Sequence, residues 1–391
     1  MNQQSYLIGQ TNFRGIEHPF HIKPKDRLSH IYIIGKTGTG KSTLLENLIL
    51  QDISSHRGLA FLDPHGDSSE KIYSAVQINP GVIYWDVAEN TRGIGYNPIR
   101  FVSPKRRPLL ASGILEVFKK QWSDAWGVRM EHIFRNCLLT LLDQPHATLA
   151  DILQLFNSPT YRRQALTRVK NEQVKSFWLQ EYEKYSYRTR ADAIVPIQNK
   201  IGAYLANPIL KQVLTEPKQN LSLRRIMDQG QVLLVNLSKG KLGEDASLLL
   251  GGLLMTSIGL AAFSRADSPE KERRDFALYA DEFQSFTTLS LVNMASELRK
   301  YRVGLILAHQ YLHQLDEKIR NAVIGNAGTL ICFRLGAYDA TFLEKEFQEV
   351  FTLHDLMALP NYHIYLKLMI DGKPSIPFSA TTFPPDQSQK K

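Results

Sequence analysis

Residues 35–42 read Gly-Lys-Thr-Gly-Thr-Gly-Lys-Ser, which fits the P-loop pattern at every fixed position. Few motifs constrain a fold as tightly, because this one works only between a strand and a helix. Both flanks supply that context. The run from Leu28 to Ile34 is apolar, with Ile31, Ile33 and Ile34 ahead of the first glycine, and Ser42 opens an amphipathic pattern through Leu44, Leu45, Leu48 and Ile49. Gly35 and Gly40 permit tight, partly left-handed turns. The loop N–H groups then converge at a helix N-terminus, where an anion is favoured. The expected nucleotide-binding residues are Gly35, Thr37, Gly38, Thr39, Gly40, Lys41, Ser42 and Thr43. In such a loop the lysine, here Lys41, reaches the β- and γ-phosphates, and the hydroxyl, here Ser42, ligates Mg2+.

A P-loop needs a second carboxylate site for the metal and for water. Phe276–Ala280 reads as an apolar strand, and Asp281-Glu282 follows it directly. Asp281 is expected to hold Mg2+ through water. Glu282, one residue further out, is placed to act as general base on the attacking water. Asn199-Lys200-Ile201-Gly202 lacks the aspartate that would read guanine, and no Leu-Ser-Gly-Gly-Gln signature occurs. Adenine nucleotide is the default expectation. His309 and His313 are four apart with no third ligand placed near them, so no metal is expected there.

Further short apolar runs lie at Leu59–Leu62, Val82–Trp85, Val232–Leu237, Val303–Ala308, Thr329–Phe333 and His363–Leu368. Near-continuous apolar strands alternating with helical patterns predict a parallel sheet covered on both faces, an α/β fold. The stretch 104–229 differs. It is rich in Leu, Lys, Arg, Glu, Gln and Tyr at helical spacing, as in Ile133, Cys137, Leu138, Leu141 and Leu142, and prolines 108, 145, 159, 196, 208 and 217 divide it into about six helices. It reads as an all-α domain (104–229) inserted between two parts of the α/β domain (1–103 and 230–382), with a polar, disordered tail at 383–391.

Composition adds limits. The 391 residues carry 47 basic and 38 acidic side chains, a formal charge of +9, which favours a polyanionic partner such as nucleic acid or an anionic membrane face. The inserted stretch concentrates cations at Arg162, Arg163, Arg168, Lys170, Lys175, Lys184, Arg188 and Arg190, interleaved with Tyr161, Phe177, Trp178, Tyr182, Tyr185 and Tyr187. Arg162, Arg163 and Arg168 are the candidate DNA contacts. The competing reading is a solvated helix face with its aromatics packed inward. Cys137 and Cys332 alone exclude a disulfide scaffold and a Cys-based zinc site. The first ten residues carry no apolar core of a secretory signal. The apolar stretch Leu248–Phe263 falls short of a membrane span and is expected to be a buried core helix. No transmembrane segment is expected, and no internal repeat is visible.

Four segments together follow a known order. They are the P-loop, Phe61-Leu62-Asp63-Pro64-His65-Gly66-Asp67, the Asp281-Glu282 pair, and Arg299-Lys300-Tyr301-Arg302-Val303-Gly304-Leu305-Ile306-Leu307-Ala308-His309-Gln310; Asn326 to Arg334 matches the strand that comes next. In these the chain resembles the HerA–FtsK superfamily of hexameric, RecA-like DNA-pumping ATPases. Within it the chain resembles the conjugative coupling proteins of type IV secretion (the TraD/TraG-like branch) and the HerA-like ATPases of mobile elements. The resemblance implies a RecA-like core and a homohexamer that uses ATP and Mg2+ to move DNA, with a relaxase or secretion-channel protein as further partner. It also implies a cytoplasmic location beside a membrane-bound channel. It makes Gln310 the sensor of the γ-phosphate and Arg299 the arginine supplied to a neighbouring subunit's site, with Lys300 and Arg302 as rivals for that role. Arg334 stands between a second phosphate contact and a surface salt bridge. Asp63–Asp67 stands between a metal- or DNA-coupling role and a plain turn. Coupling proteins usually carry N-terminal membrane helices and HerA proteins an N-terminal β-barrel; about 27 residues precede the first expected strand here. A nucleotide-gated receptor that recruits a protein without pumping DNA is the alternative.

Overall fold

The computed structural model describes residues 5–76, 81–99, 102–347 and 350–384. Its main feature is one sheet of 11 strands. In chain order the strands are β1 (Tyr6–Thr11), β2 (Pro19–Ile22), β3 (Ile31–Ile34), β4 (Gly58–Asp63), β5 (Val82–Asp86), β6 (Ile94–Gly95), β7 (Gln219–Asn220), β8 (Val232–Asn236), β9 (Phe276–Ala280), β10 (Val303–His309), β11 (Thr329–Cys332), β12 (His363–Lys367), β13 (Met369–Ile370), β14 (Lys373–Pro374) and β15 (Phe378–Thr382). The sheet runs β2-β1-β15-β12-β11-β3-β10-β9-β4-β8-β5, while β6–β7 and β13–β14 form separate pairs. From β11 to β5 every pairing is parallel. In β4, β8, β9 and β10 every residue is buried, as a sheet covered on both faces requires.

The other end of the sheet departs from the expected pattern. β12 pairs antiparallel with β11 and β15, and β1 pairs antiparallel with β15 and β2. The stretch before the first expected strand therefore supplies two strands of its own. Their apolar runs are short and broken by His and Gln, so periodicity gives little warning of them. Of the tail at 383–391, residues 385–391 lie outside the described residues. Phe383 is tied in, its carbonyl accepting from Asn47 Nδ2 at 3.2 Å.

The chain forms two compact units. One holds Met1–Asp86, Leu223–Ser238 and Ala261–Lys391, and the other holds Val87–Ser222 and Lys239–Leu260. The first contains the whole 11-stranded sheet. The second is mainly helical and begins at 87, before the expected boundary at 104. It also takes the separate segment Lys239–Leu260. Its helices include Arg107–Gln121, Val128–Leu142, Pro159–Leu166, Tyr187–Ala206 and Pro208–Thr215. Pro159 and Pro208 stand in the first turn, where a missing N–H costs nothing, whereas Pro196 lies inside its helix. Phe118, Trp122, Phe134 and Tyr204 form an aromatic cluster in this unit.

The helix at Glu244–Ser264 contains the apolar stretch singled out above. Over Glu244–Asp267, 24 residues, it is long and apolar enough to cross a membrane by length and composition, contrary to the expectation that it falls short, and 72% of its apolar window is buried. It is the one such helix among the described residues.

Candidate active site

Residues at the ends of β3, β9 and β10 meet because the register brings those ends level. Ile34 lies opposite His309 of β10 and Cys332 of β11, and Ala280 of β9 lies opposite Leu307. The loop after β3 is fastened on both sides: Lys36 N–H donates to the Arg334 carbonyl at 2.9 Å and Gly35 N–H to the His309 carbonyl at 3.4 Å. Gly35 has no room for a side chain, since a Cβ there would lie 2.5 Å from Phe333 Cβ. Gly40 has φ 117°, and a Cβ would lie 2.9 Å from Tyr362 Cδ1, so the turn and the packing both demand glycine. The buried Thr39 hydroxyl donates to the Lys36 carbonyl at 2.7 Å and braces the loop from inside.

Lys41 Nζ donates to the carbonyls of Gly35 at 2.6 Å and Lys36 at 3.1 Å. Burial lowers its pKa, while the charges of Asp281 and Glu282 oppose that shift. Ser42 Oγ donates to Asp281 Oδ2 at 2.9 Å. A hydroxyl and a carboxylate so close form an oxygen pair that fits Mg2+, which binds through one or two protein ligands and keeps most of its water.

Asp281 is buried, and its Oδ1 accepts from the Glu282 N–H at 2.9 Å. Burial first, and then the neighbouring Glu282 charge, push its carboxyl up to about 6. The folded state therefore holds this proton more tightly than the unfolded chain. The contribution to stability is fully present below the unfolded value of about 3.9 and is lost as pH rises through 6. Asp281→Asn removes that loss. Thermal melts should show the variant more stable than the parent at pH 8, with the gap closing as pH falls towards 4. A gap independent of pH would contradict the shift.

Glu282 leaves β9 with φ 44° and ψ 46°, the left-handed region. Such a backbone costs a non-glycine residue on the order of 1–3 kcal/mol and persists where surroundings enforce it. Here both carboxylate oxygens are held. Oε1 accepts from Gln310 Nε2 at 2.5 Å and Oε2 from Gln284 Nε2 at 2.6 Å. Gln310 Oε1 in turn accepts from Thr37 Oγ1 at 2.7 Å. A chain of polar contacts thus runs from the loop through Gln310 to Glu282. Gln284 joins it without having been singled out in the sequence, although its place two residues after Glu282 was available as a signal.

The turn after β4 has a local job. Buried Asp63 accepts from His65 N–H at 3.0 Å and Ser69 N–H at 2.8 Å, capping the helix Asp67–Val76. Arg334 Nη1 and Nη2 donate to the Leu359 carbonyl and Asn361 Oδ1, each at 3.0 Å. His309 is buried against Tyr32 and Phe283, and burial with the nearby Lys41 charge lowers its pKa to about 3. Among the described residues no cluster of three His, Cys, Asp or Glu suited to a metal occurs.

Arg299 is not brought to these residues. It is exposed and precedes the start of β10, whereas Gln310 follows its end. Seven strand residues separate the two levels by roughly 23 Å. Arg299 lines a cleft of about 790 Å³ together with Lys25, Lys300 and Arg302. Arg302 Nε pairs with Asp275 Oδ1 at 2.6 Å and is already engaged.

In the helical unit the candidate DNA contacts divide. Arg162 is buried, donating to the Leu155 carbonyl at 2.8 Å and to Glu183 Oε1 at 3.1 Å, with its guanidinium 5.1 Å from the Tyr182 ring centroid. Its assignment as a DNA contact is corrected: burying it required these partners, and they leave no free face. Arg163 and Arg168 are exposed. Phe177, Trp178 and Tyr182 are core residues, with Trp178 Nε1 donating to Thr140 Oγ1 at 2.8 Å, while Tyr187 is 90% exposed.

A family model described as the type IV secretion-system coupling protein DNA-binding domain matches residues 16–341. Among solved structures, the chain is similar to the unbound bacterial conjugative coupling protein TrwBdeltaN70, at 15% identity and TM-score 0.67 over 97% of this chain and 88% of that one. Plasmid coupling protein TrwB with ADP and Mg2+ matches at 16% identity and TM-score 0.64, over 97% and 91%. VirB4 of Thermoanaerobacter pseudethanolicus matches at 13% identity and TM-score 0.64, over 99% and 98%. At these identities the likeness shows a shared fold, the RecA-like core with its mainly parallel sheet. No curated protein sequence matches significantly.

Proposed function

Because the chain belongs to the type IV secretion-system coupling protein DNA-binding domain family, we propose that it is an ATP-driven DNA translocase acting in conjugative or mobile-element transfer. The observation that carries the hydrolytic part is the unbroken contact chain Thr37–Gln310–Glu282 above the Ser42–Asp281 pair. TrwB bound to ADPNP, or to ADP and Mg2+, supports the same nucleotide and metal here.

The loop N–H groups and Lys41 hold the phosphates. Ser42 and Asp281 would hold Mg2+, which when bound neutralises charge on the phosphate oxygens. Glu282 accepts the proton of the attacking water at a carboxylate oxygen. Gln310 orients that water and couples Glu282 to the loop. The strained backbone at Glu282 accompanies a carboxylate held between Gln310 and Gln284. Arg299 lies at the other end of β10 from its own site, so the nucleotide it could serve is a neighbour's, which supports a ring, a homohexamer by family resemblance.

The test is ATP turnover with and without DNA, with particle mass recorded in parallel. DNA should stimulate turnover in an assembled ring. Lys41→Ala should raise the nucleotide Kd by about 10- to 100-fold, the loss of a charged hydrogen-bond donor. Turnover indifferent to DNA but raised by a protein partner would replace the motor with a nucleotide-gated receptor.

DNA gripped through its backbone is held by cations without base reading. Arg163→Glu with Arg168→Glu should weaken binding and flatten the salt dependence by about 0.9 per lost phosphate contact on duplex. Basal turnover should survive. Unchanged affinity and slope would make these arginines a solvated face.

A further inference from the structure

The strand order divides the surroundings of the P-loop in two. Asp281, Glu282 and Gln310 follow β9 and β10 on one side of β3, and β11 and β12 lie on the other. β12 runs antiparallel to β11, so the residue just before it, Tyr362, returns to the edge that carries the loop. Tyr362 has φ 66°, a conformation in which a bulky side chain is an outlier that its surroundings must hold. Three hydrogen bonds hold it. Its N–H donates to the Thr39 carbonyl of the loop at 2.8 Å, and its carbonyl accepts from Thr382 N–H at 2.8 Å and Thr382 Oγ1 at 3.1 Å. The half-buried ring lies against Gly40, whose missing Cβ would stand 2.9 Å from Cδ1 and 3.3 Å from Cε1. Arg334 clamps the turn leading to it through the Leu359 carbonyl and Asn361 Oδ1, each at 3.0 Å.

A nucleoside triphosphate is an elongated molecule. Its terminal phosphate must face Glu282 and Gln310 for hydrolysis, so its sugar and base leave the loop in the other direction. Two aromatic rings lie against the loop at Gly40, those of Tyr362 and Phe333; Phe333 is fully buried, and Tyr362 is the one partly open to solvent. We propose that the Tyr362 ring is the platform on which the nucleobase stacks, and that the Arg334-clamped turn at Leu359–Asn361 fixes that platform. Accordingly, strain at Tyr362 is kept because the hydrogen bonds to Thr39 and Thr382 set the ring beside the loop. This inference rests on the nucleotide-site reading above.

The experiment compares ATP with inorganic tripolyphosphate, which has the phosphates and no base, on the full chain. In Tyr362→Leu, which keeps bulk and loses the π-face, the ATP Kd should rise by roughly 10-fold or more, the loss of one base–aromatic stack. Tripolyphosphate affinity should stay at the parent value, and Tyr362→Phe should bind ATP as the parent does. Unchanged ATP affinity in Tyr362→Leu overturns the platform. Equal weakening of ATP and tripolyphosphate also overturns it, because the ring would then only brace the loop. Failure of the parent chain to bind either ligand would instead sink the nucleotide site itself, a distinct result.

Discussion

Glu282→Gln should bind nucleotide with near-parental affinity and hydrolyse it about 10²- to 10⁴-fold more slowly, the usual worth of a positioned general base. The structure explains why this substitution separates the two steps. The oxygens that would hold magnesium, Ser42 Oγ and Asp281 Oδ2, lie 2.9 Å apart, and neither is touched. An amide fills the same volume, and its one oxygen can still accept from Gln310 Nε2, which keeps the link to Thr37. Its NH2 group replaces the oxygen that accepts from Gln284 Nε2, so that contact survives only if the Gln284 amide turns over. The capacity to take a proton is lost in either case. Equilibrium binding of a fluorescent nucleotide beside single-turnover hydrolysis measures both quantities. Hydrolysis at the parental rate would remove Glu282 from the role of base. Joint loss of binding and turnover would show that its contacts with Gln310 and Gln284 hold the site together.

Arg299→Ala should lower turnover by about 10³-fold or more, as expected for an arginine supplied from outside the site. Its position predicts a complementation that a surface cation cannot give. Arg299→Ala subunits keep Glu282 but cannot serve a neighbour. Glu282→Gln subunits cannot hydrolyse but still offer Arg299. Each population alone should be inactive, and an equal mixture should regain roughly a quarter of parental activity, the share of sites that pair an intact base with an intact arginine in a randomly mixed ring. Turnover after subunit mixing is the measurement. No recovery, or full parental activity in a dilute monomer, would sink the idea.

Much of the fold was legible because it rests on local pattern. The P-loop sits between strand and helix as its mechanism demands, and the buried parallel strands announce themselves as unbroken apolar runs. Asp281 and Glu282 were readable from their place at a strand end, and Gln310 through the family resemblance. What escaped depends on contacts distant in sequence. Arg162 looks like its neighbours Arg163 and Arg168 in composition. Only the Leu155 carbonyl and Glu183 Oε1 reveal that it is a core residue. The aromatics between these cations carry no mark separating the buried Trp178 from the exposed Tyr187. Tyr362 belongs to no motif, and its position beside Gly40 follows from a positive φ and a hydrogen bond to Thr39, 323 positions earlier in the chain. β1 and β2 escape periodicity because they are short and broken by Gly, Gln and His, and the antiparallel sense of β12 is set by tertiary pairing alone.

The interleaving of the sheet also bears on how the polypeptide is made. Among the described residues β3 pairs only with β10 and β11, β4 only with β8 and β9, and β5 only with β8. None of these three early strands has a partner among the described residues of the first 86. When the ribosome has released the P-loop, the partners of β3 lie more than 250 residues downstream in a segment not yet translated. The nascent N-terminal segment must therefore wait, with apolar strands unpaired, through synthesis of the whole helical unit. Pairings so distant in sequence carry a large loop-closure cost before any contact repays it, which makes folding slow and leaves the waiting strands open to misassociation. For this protein the vulnerable interval lies in biogenesis, and it ends only when β10 and β11 have emerged.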